Sequence, residues 1–195
     1  MKKISLIICV LGFFSFLAKG QSETEVILNY MPAVSLGETA SFTKNFSPRG
    51  AEIEMNRYLT EDLSLGISIG WNIFREKVTG ESLTYRDALI TGTQFRYTNI
   101  VPLNVNAKKY FRANGLSPFV GIGLGTSYAR QTNEVGIFSF VDSKWQFHFA
   151  PEAGIQVNVS PDVLLSLKIK YSYGMKAGDF PSMSFLGLGV GIGML

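Results

Sequence analysis

The chain has 195 residues, enough for a single domain, and carries 18 basic and 15 acidic residues. Three of the basic residues (Lys2, Lys3 and Lys19) lie in the first twenty positions, so the rest of the chain has 15 residues of each sign and no net charge. This balance gives no support for binding to nucleic acid. The one cysteine, Cys9, also lies in the leading segment, which excludes disulfides and cysteine-based zinc sites from the remainder.

The first twenty residues have the features of a secretory signal peptide. A basic start is followed by an apolar stretch from Ile4 to Leu17, and Ala18 and Gly20 put small residues just before Gln21. The apolar stretch is too short to span a bilayer as a helix, where ~20 residues are needed. We therefore expect residues 1–20 to be removed and residues 21–195 to form the domain, the alternative being an uncleaved membrane anchor. After residue 20 no apolar stretch is long enough for a spanning helix, so a membrane crossing would have to use strands.

The rest of the chain alternates large apolar residues with small or polar ones, the pattern of a β-strand. We predict eight strands, at Glu25–Leu36, Arg49–Leu59, Leu63–Phe74, Phe95–Phe111, Pro118–Arg130, Lys144–Ser160, Val163–Tyr173 and Ser184–Leu195. Each is long enough to cross a bilayer at a tilt, for which ~9–11 residues suffice. Pro32 interrupts the first strand, which suits a strand end or a bulge.

The connections between these strands alternate in length. Short turns are predicted at Thr60–Asp62, around Asn114-Gly115 and at Ser160–Asp162. The longer connections are residues 37–48, 75–94, 131–143 and 174–183. An even number of strands with short turns at one rim and longer loops at the other is typical of bacterial outer-membrane barrels, whose turns are periplasmic and whose loops are extracellular.

In the last strand, from Leu186 to Leu195, nearly every second residue is glycine and the residues between are large and apolar. One face of the strand is therefore apolar and the other nearly bare. A membrane barrel can use both faces, the first against lipid and the second to leave room inside for other side chains. A soluble, lipocalin-like barrel is the alternative, but its water-facing positions would not be rich in glycine.

Aromatic residues of the apolar phase lie toward strand ends, as an interfacial girdle requires. The predicted girdle consists of Trp71, Tyr128, Trp145, Tyr171 and Tyr173. Together these patterns predict an all-β fold, an eight-stranded antiparallel up-and-down transmembrane β-barrel.

The opposite phase of the strands would line the lumen of such a barrel. Its titratable residues form the predicted lumenal network: Glu52, Glu54, Arg96, Lys108, His148, Glu152, Lys168 and Lys170. Buried charges must be paired or solvated, and the hairpin about Pro161 places Glu152 opposite Lys170. We therefore predict a Glu152–Lys170 ion pair with Lys168 nearby. The network either fills and stiffens the barrel or leaves a narrow polar pore among the lumenal glycines.

Catalysis has little support in the sequence. His148 is the only histidine, and Glu152, four residues along the same face, is about 13 Å away at ~3.3 Å per residue. No nucleophile with an adjacent base stands out, and one histidine with scattered carboxylates makes a poor metal site. We predict no enzymatic activity, no cofactor and no metal, and a lipid-modifying enzyme ranks third among the alternatives.

Several segments resemble the outer-membrane β-barrel families of the OmpA, OmpX and OmpW type. They are Tyr58–Gly66, Ser117–Gly125 and Ala150–Gly154. The resemblance covers the whole chain after residue 20 and implies a monomeric eight-stranded barrel, often of unassigned activity. Many members end in Phe or Trp, the signal read by the barrel assembly machinery, whereas this chain ends in Met194-Leu195. A peptidoglycan-binding domain, present in OmpA itself, is not expected here.

These observations predict a protein of the Gram-negative outer membrane with a structural or surface-interaction role carried by its loops. Its expected partners are outer-membrane lipid, the assembly machinery during biogenesis and an extracellular partner that the sequence does not identify. A narrow channel or conduit for small or hydrophobic solutes is the second hypothesis.

Overall fold

The computed structural model describes residues 24–85, 88–111 and 115–195, and only the backbone for those of residues 81–91 that fall in these ranges. The elements are β1 Thr24–Tyr30, β2 Ala33–Leu36, α1 Gly37–Phe42, β3 Phe46–Ser47, β4 Gly50–Thr60, β5 Leu63–Tyr85, β6 Ala88–Tyr110, β7 Leu116–Val135, β8 Phe138–Ser160, β9 Val163–Gly174 and β10 Met183–Met194. In these ranges no helix is long and apolar enough to cross a membrane. The predicted signal peptide lies outside the described residues.

The sheet closes on itself. Strands β4 to β10 pair each with the next in antiparallel fashion, and β1 pairs with both β4 and β10. Among the described residues, β1 and β4 to β10 therefore form a ring of eight strands. This confirms the predicted up-and-down barrel, and a closed ring leaves no unpaired edge within the wall.

The first predicted strand is divided at Met31-Pro32 into β1 and β2. Proline lacks an N–H group, yet the wall continues across the break, because the Pro32 carbonyl accepts a hydrogen bond from the amide of Leu188 at 2.9 Å. On the other side the Met31 amide donates to the Gly50 carbonyl at 2.9 Å. Beyond the break β2 pairs with β10 and β3, and the short helix α1 lies between β2 and β3.

Two of the predicted long loops are mostly strand. The connection predicted at residues 75–94 continues β5 and β6, and the one at residues 131–143 continues β7 and β8 up to a two-residue turn at Gly136-Ile137. Gly136 has φ +58°, which a hairpin turn of this length requires. These extensions escaped prediction because strands that leave the bilayer lose the apolar phase by which the strands were recognised.

We call this extension the blade: residues 75–85, 88–99, 130–135 and 138–143.

The two faces of the wall differ as the alternation predicts. Outward residues such as Ile53 and Ile67 are about half exposed, whereas their inward neighbours Glu54 and Ser68 are buried. Large apolar side chains exposed all around the ring suit a lipid environment and would be unfavourable in water.

Candidate functional site: a filled lumen

A cluster of six charged side chains occupies the middle of the lumen. It consists of Glu52 and Glu54 from β4, Lys108 from β6, Glu152 from β8, and Lys168 and Lys170 from β9. Residues two apart on one strand share a face, so each strand sends its members to the same side of the wall. Every member of this cluster is at most 6% exposed.

Glu52 is shared between two lysines of the opposite wall. The Nζ atoms of Lys168 and Lys170 each lie 2.5 Å from one of its carboxylate oxygens. Lys108 contacts Glu54 and lies 3.3 Å from Glu152. These pairs join β4, β6, β8 and β9 across the lumen.

Three carboxylates of the cluster, those of Glu52, Glu54 and Glu152, have oxygens within 4.8 Å of one another. Such a group could hold a cation, but the ammonium group of Lys168 already contacts all three. The three carboxylates and three ammonium groups of this cluster balance in charge, so the geometry favours an internal ion-pair network over a metal centre.

The register of β8 and β9 places Glu152 directly opposite Lys170, as the sequence predicted. Their head groups are 3.7 Å apart. The shorter contact of Lys170 is with Glu52 across the lumen. Hairpin register gives only neighbours within the wall, so this cross-lumen partner could not be found from the sequence.

Toward the rim of short turns, the lumen is filled by a carboxylate that sequence reasoning missed. Glu25 is fully buried and accepts hydrogen bonds from Asn56 at 2.9 Å, Tyr58 at 3.0 Å and Tyr110 at 3.1 Å. The Tyr110 ring also packs against Phe119, with centroids 5.6 Å apart. The alternation along β1 places Glu25 in the inward phase, and this pattern could have identified it as a lumenal residue.

Above the charge cluster, toward the rim of longer loops, a polar layer gives way to an apolar cap. Nδ1 of His148 lies 2.7 Å from the Asn104 side-chain oxygen. The cap consists of Ala33, Phe74, Ile100, Ala129, Phe180, Met183 and Phe185, all buried. The Phe74 and Phe185 rings meet at 5.7 Å between centroids. In the described part of the chain, the lumen is thus filled from the turn rim to the loop rim.

The structure places Arg96 outside the charge cluster, which corrects its predicted membership. It lies twelve residues from Lys108 on β6, about 40 Å at ~3.3 Å per residue. Its guanidinium donates to Gln94 at 3.1 Å and lies over the Phe42 ring at 5.7 Å. The strand β6 extends past the bilayer region, so a residue in the inward phase need not be in the transmembrane lumen.

The five residues of the predicted girdle all lie on strand segments toward the loop rim, and we refer to them as the aromatic belt. Tyr128 and Trp145 are direct cross-strand partners with ring centroids 5.4 Å apart. Trp71 and Trp145 are more than half exposed. Tyr171 and Tyr173 follow in the outward phase of β9, Tyr171 opposite Leu186 of β10 and Tyr173 opposite Phe149 of β8.

The helix α1 is tied to the segment that precedes β10. The Glu38 carboxylate accepts hydrogen bonds from the amide and hydroxyl of Ser182, both at 2.6 Å. These bonds favour the charged form and lower the pKa of Glu38 below its usual value. The same segment includes Phe180, a member of the apolar cap, so this contact helps to fix the position of that side chain.

We expect acidification to release this contact. A carboxyl with a lowered pKa stabilises the folded loop at pH values above its ordinary pKa, and that contribution is lost as the pH falls through the lowered value. The protection of the amides of residues 175–182, measured against the intrinsic exchange rate at each pH, should therefore fall several-fold in acid, and Glu38→Gln should lower it at neutral pH. Glu61→Gln, in the turn at the other rim, is the matched control. Equal exchange in Glu38→Gln and the wild type would contradict this role.

Solved structures of small outer-membrane β-barrels share this fold. Neisserial surface protein A is 15% identical with a TM-score of 0.55, over 90% of this chain and 99% of that one. Ail, the attachment invasion locus protein of Yersinia pestis, is 18% identical with a TM-score of 0.51, over 89% and 99%. The outer membrane protease OmpT of Escherichia coli is 8% identical with a TM-score of 0.50, over 91% and 99%. No family model matches the sequence, and no curated protein is significantly similar to it.

These similarities support the β-barrel fold that small outer-membrane proteins share. At such low identity they carry no information about activity, and one of the similar barrels is a protease.

Proposed function

We propose that this chain is a non-enzymatic protein of the Gram-negative outer membrane that uses a closed, rigid barrel to display the blade at the cell surface. The observation that carries the proposal is the filled lumen: a neutral ion-pair cluster in the middle and an apolar cap above it. A barrel whose lumen is plugged in this way is better suited to the role of a scaffold than to that of a conduit. Its one histidine is buried against an asparagine, which gives no support for catalysis.

The blade offers the surface on which a partner would bind. Strand β8 pairs with β9 from His148 onward, so among the described residues its portion from Val141 to Gln146 has no strand partner on that side. Near the tip, Ile137 is 94% exposed, and Phe138 and Val141 are about half exposed. An open strand edge with exposed apolar side chains favours protein–protein contact.

Shortening the blade should abolish surface binding without unfolding the barrel. In the test variant, an Asn-Gly turn replaces residues 79–93 and another replaces residues 133–140, each joining positions that are paired in the sheet. Phage-displayed peptides would be selected on wild-type protein in lipid nanodiscs and then tested on the variant. We expect the enriched peptides to lose binding to the shortened protein.

The control variant carries Ile67→Leu on the lipid-facing wall and should keep the binding of the wild type. Folding of each protein is checked by its heat-modifiable mobility on gels. Peptides that bind the wild type and the shortened, folded barrel equally would contradict the proposal.

A further inference from the structure

A band of cationic side chains lies on the outer surface of the wall just beyond the aromatic belt. The belt residue Trp71 is followed on the outward face of β5 by Arg75 and Lys77, and Tyr128 is followed on β7 by Arg130. Arg49 lies beside β5, because its carbonyl accepts a hydrogen bond from the Ile73 amide at 3.1 Å. All four cations are exposed.

Strand register places these cations in neighbouring rows of one outward face. Ile73 is opposite Asn99, and Asn99 is in turn opposite Arg130, so Arg49 and Arg130 flank one row of the sheet. Arg75 lies in the next outward row, opposite Tyr97.

Aromatic rings hold two of the cations in place. The Arg75 guanidinium lies 5.4 Å from the Phe95 ring centroid and 5.5 Å from that of Tyr97, and Lys77 lies 5.9 Å from Phe95. Cation–π contact restrains the side chain while leaving its donors free for an anion.

Among the side chains that the structure describes, no carboxylate forms an ion pair with any of the four cations. On the same outward face, Glu134 lies opposite Phe95 and is exposed. The neighbouring Glu76 belongs to the inward phase and accepts a hydrogen bond from the Lys44 amide at 2.7 Å. The outward face of this part of the wall therefore carries a net positive charge.

The height of the band relative to the membrane indicates which anion it would bind. Aromatic belts sit at the level of the lipid headgroups, and Arg75 is four residues beyond Trp71, about 13 Å along a tilted strand at ~3.3 Å per residue. Cations just outside the belt can reach the phosphate groups of the surrounding leaflet, because long arginine and lysine side chains extend back toward the headgroups. Arginine binds phosphate through two parallel hydrogen bonds, which favours the three arginines of the band as phosphate ligands.

We propose that Arg49, Arg75, Lys77 and Arg130 form a binding surface for the phosphate groups of an anionic glycolipid in the outer leaflet around the barrel. This inference rests on the membrane placement in the proposed function and is independent of any partner of the blade. The bound lipid would fix the depth and tilt of the barrel at the base of the blade, where Arg75, Lys77 and Arg130 lie.

The test uses the full barrel refolded in a zwitterionic detergent and titrated with diphosphoryl lipid A or with the same lipid after dephosphorylation. Native mass spectrometry counts the bound lipid. We expect the wild type to prefer the phosphorylated lipid by about tenfold or more, and the variant Arg75→Gln/Lys77→Gln/Arg130→Gln to lose that preference. Millimolar inorganic phosphate should not displace the lipid.

The matched control is Lys144→Gln. Lys144 is exposed at nearly the same height but lies opposite Ala129, which belongs to the inward phase. The single variant Arg130→Gln is a milder change and should lower the preference for phosphorylated lipid in part. It replaces the triple variant in the test if the triple variant fails to fold. The inference would be overturned if Arg130→Gln kept the full preference of the wild type. It would also be overturned if Lys144→Gln lost as much of the preference as the triple variant. A wild type that binds blade-directed peptides but shows no preference for phosphorylated lipid would overturn it while leaving the proposed function intact.

Discussion

Replacing Glu52 with glutamine should destabilise the barrel by about 3–5 kcal/mol, the range found when one partner of a buried ion pair is removed. The carboxylate of Glu52 lies 2.5 Å from the Nζ atoms of both Lys168 and Lys170, and it is the carboxylate nearest to Lys170. All three side chains are at most 3% exposed. The amide cannot balance the two ammonium groups, and water cannot reach them without opening the wall. Urea unfolding in detergent micelles, followed by the fluorescence of Trp71 and Trp145, would measure the change.

A second variant separates charge imbalance from a change of shape. In Glu52→Gln/Lys170→Met, one carboxylate and one ammonium group are removed together, while Lys168 keeps its contacts with Glu54 and Glu152. We expect this double variant to recover much of the lost stability, so the double-mutant cycle should show strong coupling. Asp62→Asn, which removes an exposed pair with Lys109 at the turn rim, is the control and should leave the unfolding free energy close to that of the wild type. A Glu52→Gln variant as stable as the control would mean that the cluster does not hold the lumen together.

The sequence was sufficient to predict the wall of the barrel because each transmembrane strand faces two different environments. Lipid on one side and the lumen on the other impose alternation, so the phase of residues such as Ile67 and Ser68 could be predicted without knowledge of distant contacts. The same alternation assigned the belt residues to the outward face. Beyond the bilayer both faces meet water, and the alternation that identified the strands disappears. Most of the blade was therefore predicted as loops.

The arrangement inside the lumen was predictable only in part. Register within the β8–β9 hairpin gave the position of Lys170 opposite Glu152. The partnership of Lys170 with Glu52 depends on how a ring of eight strands brings β4 to face β9, and no local pattern contains that distance. The cap has a similar origin, since Phe74 and Phe185 come from β5 and β10 and meet only when the barrel is closed.

Ion flow is the property that most clearly separates a scaffold from a conduit. An eight-stranded barrel has an interior just wide enough for its own side chains, and here charged residues and the apolar cap fill it. An ion crossing this lumen would have to break the cluster around Glu52 and also displace the Phe74–Phe185 contact. Both barriers lie in the path from one rim to the other.

Single-channel recording in planar bilayers shows whether the lumen is closed to ions, with a general porin reconstituted in the same way as the positive control. We predict that the wild-type barrel, inserted and folded, carries no current above that of the bare bilayer at either polarity. Reproducible discrete openings from the purified barrel would contradict the account, because they would show a continuous water path through a lumen that the structure fills.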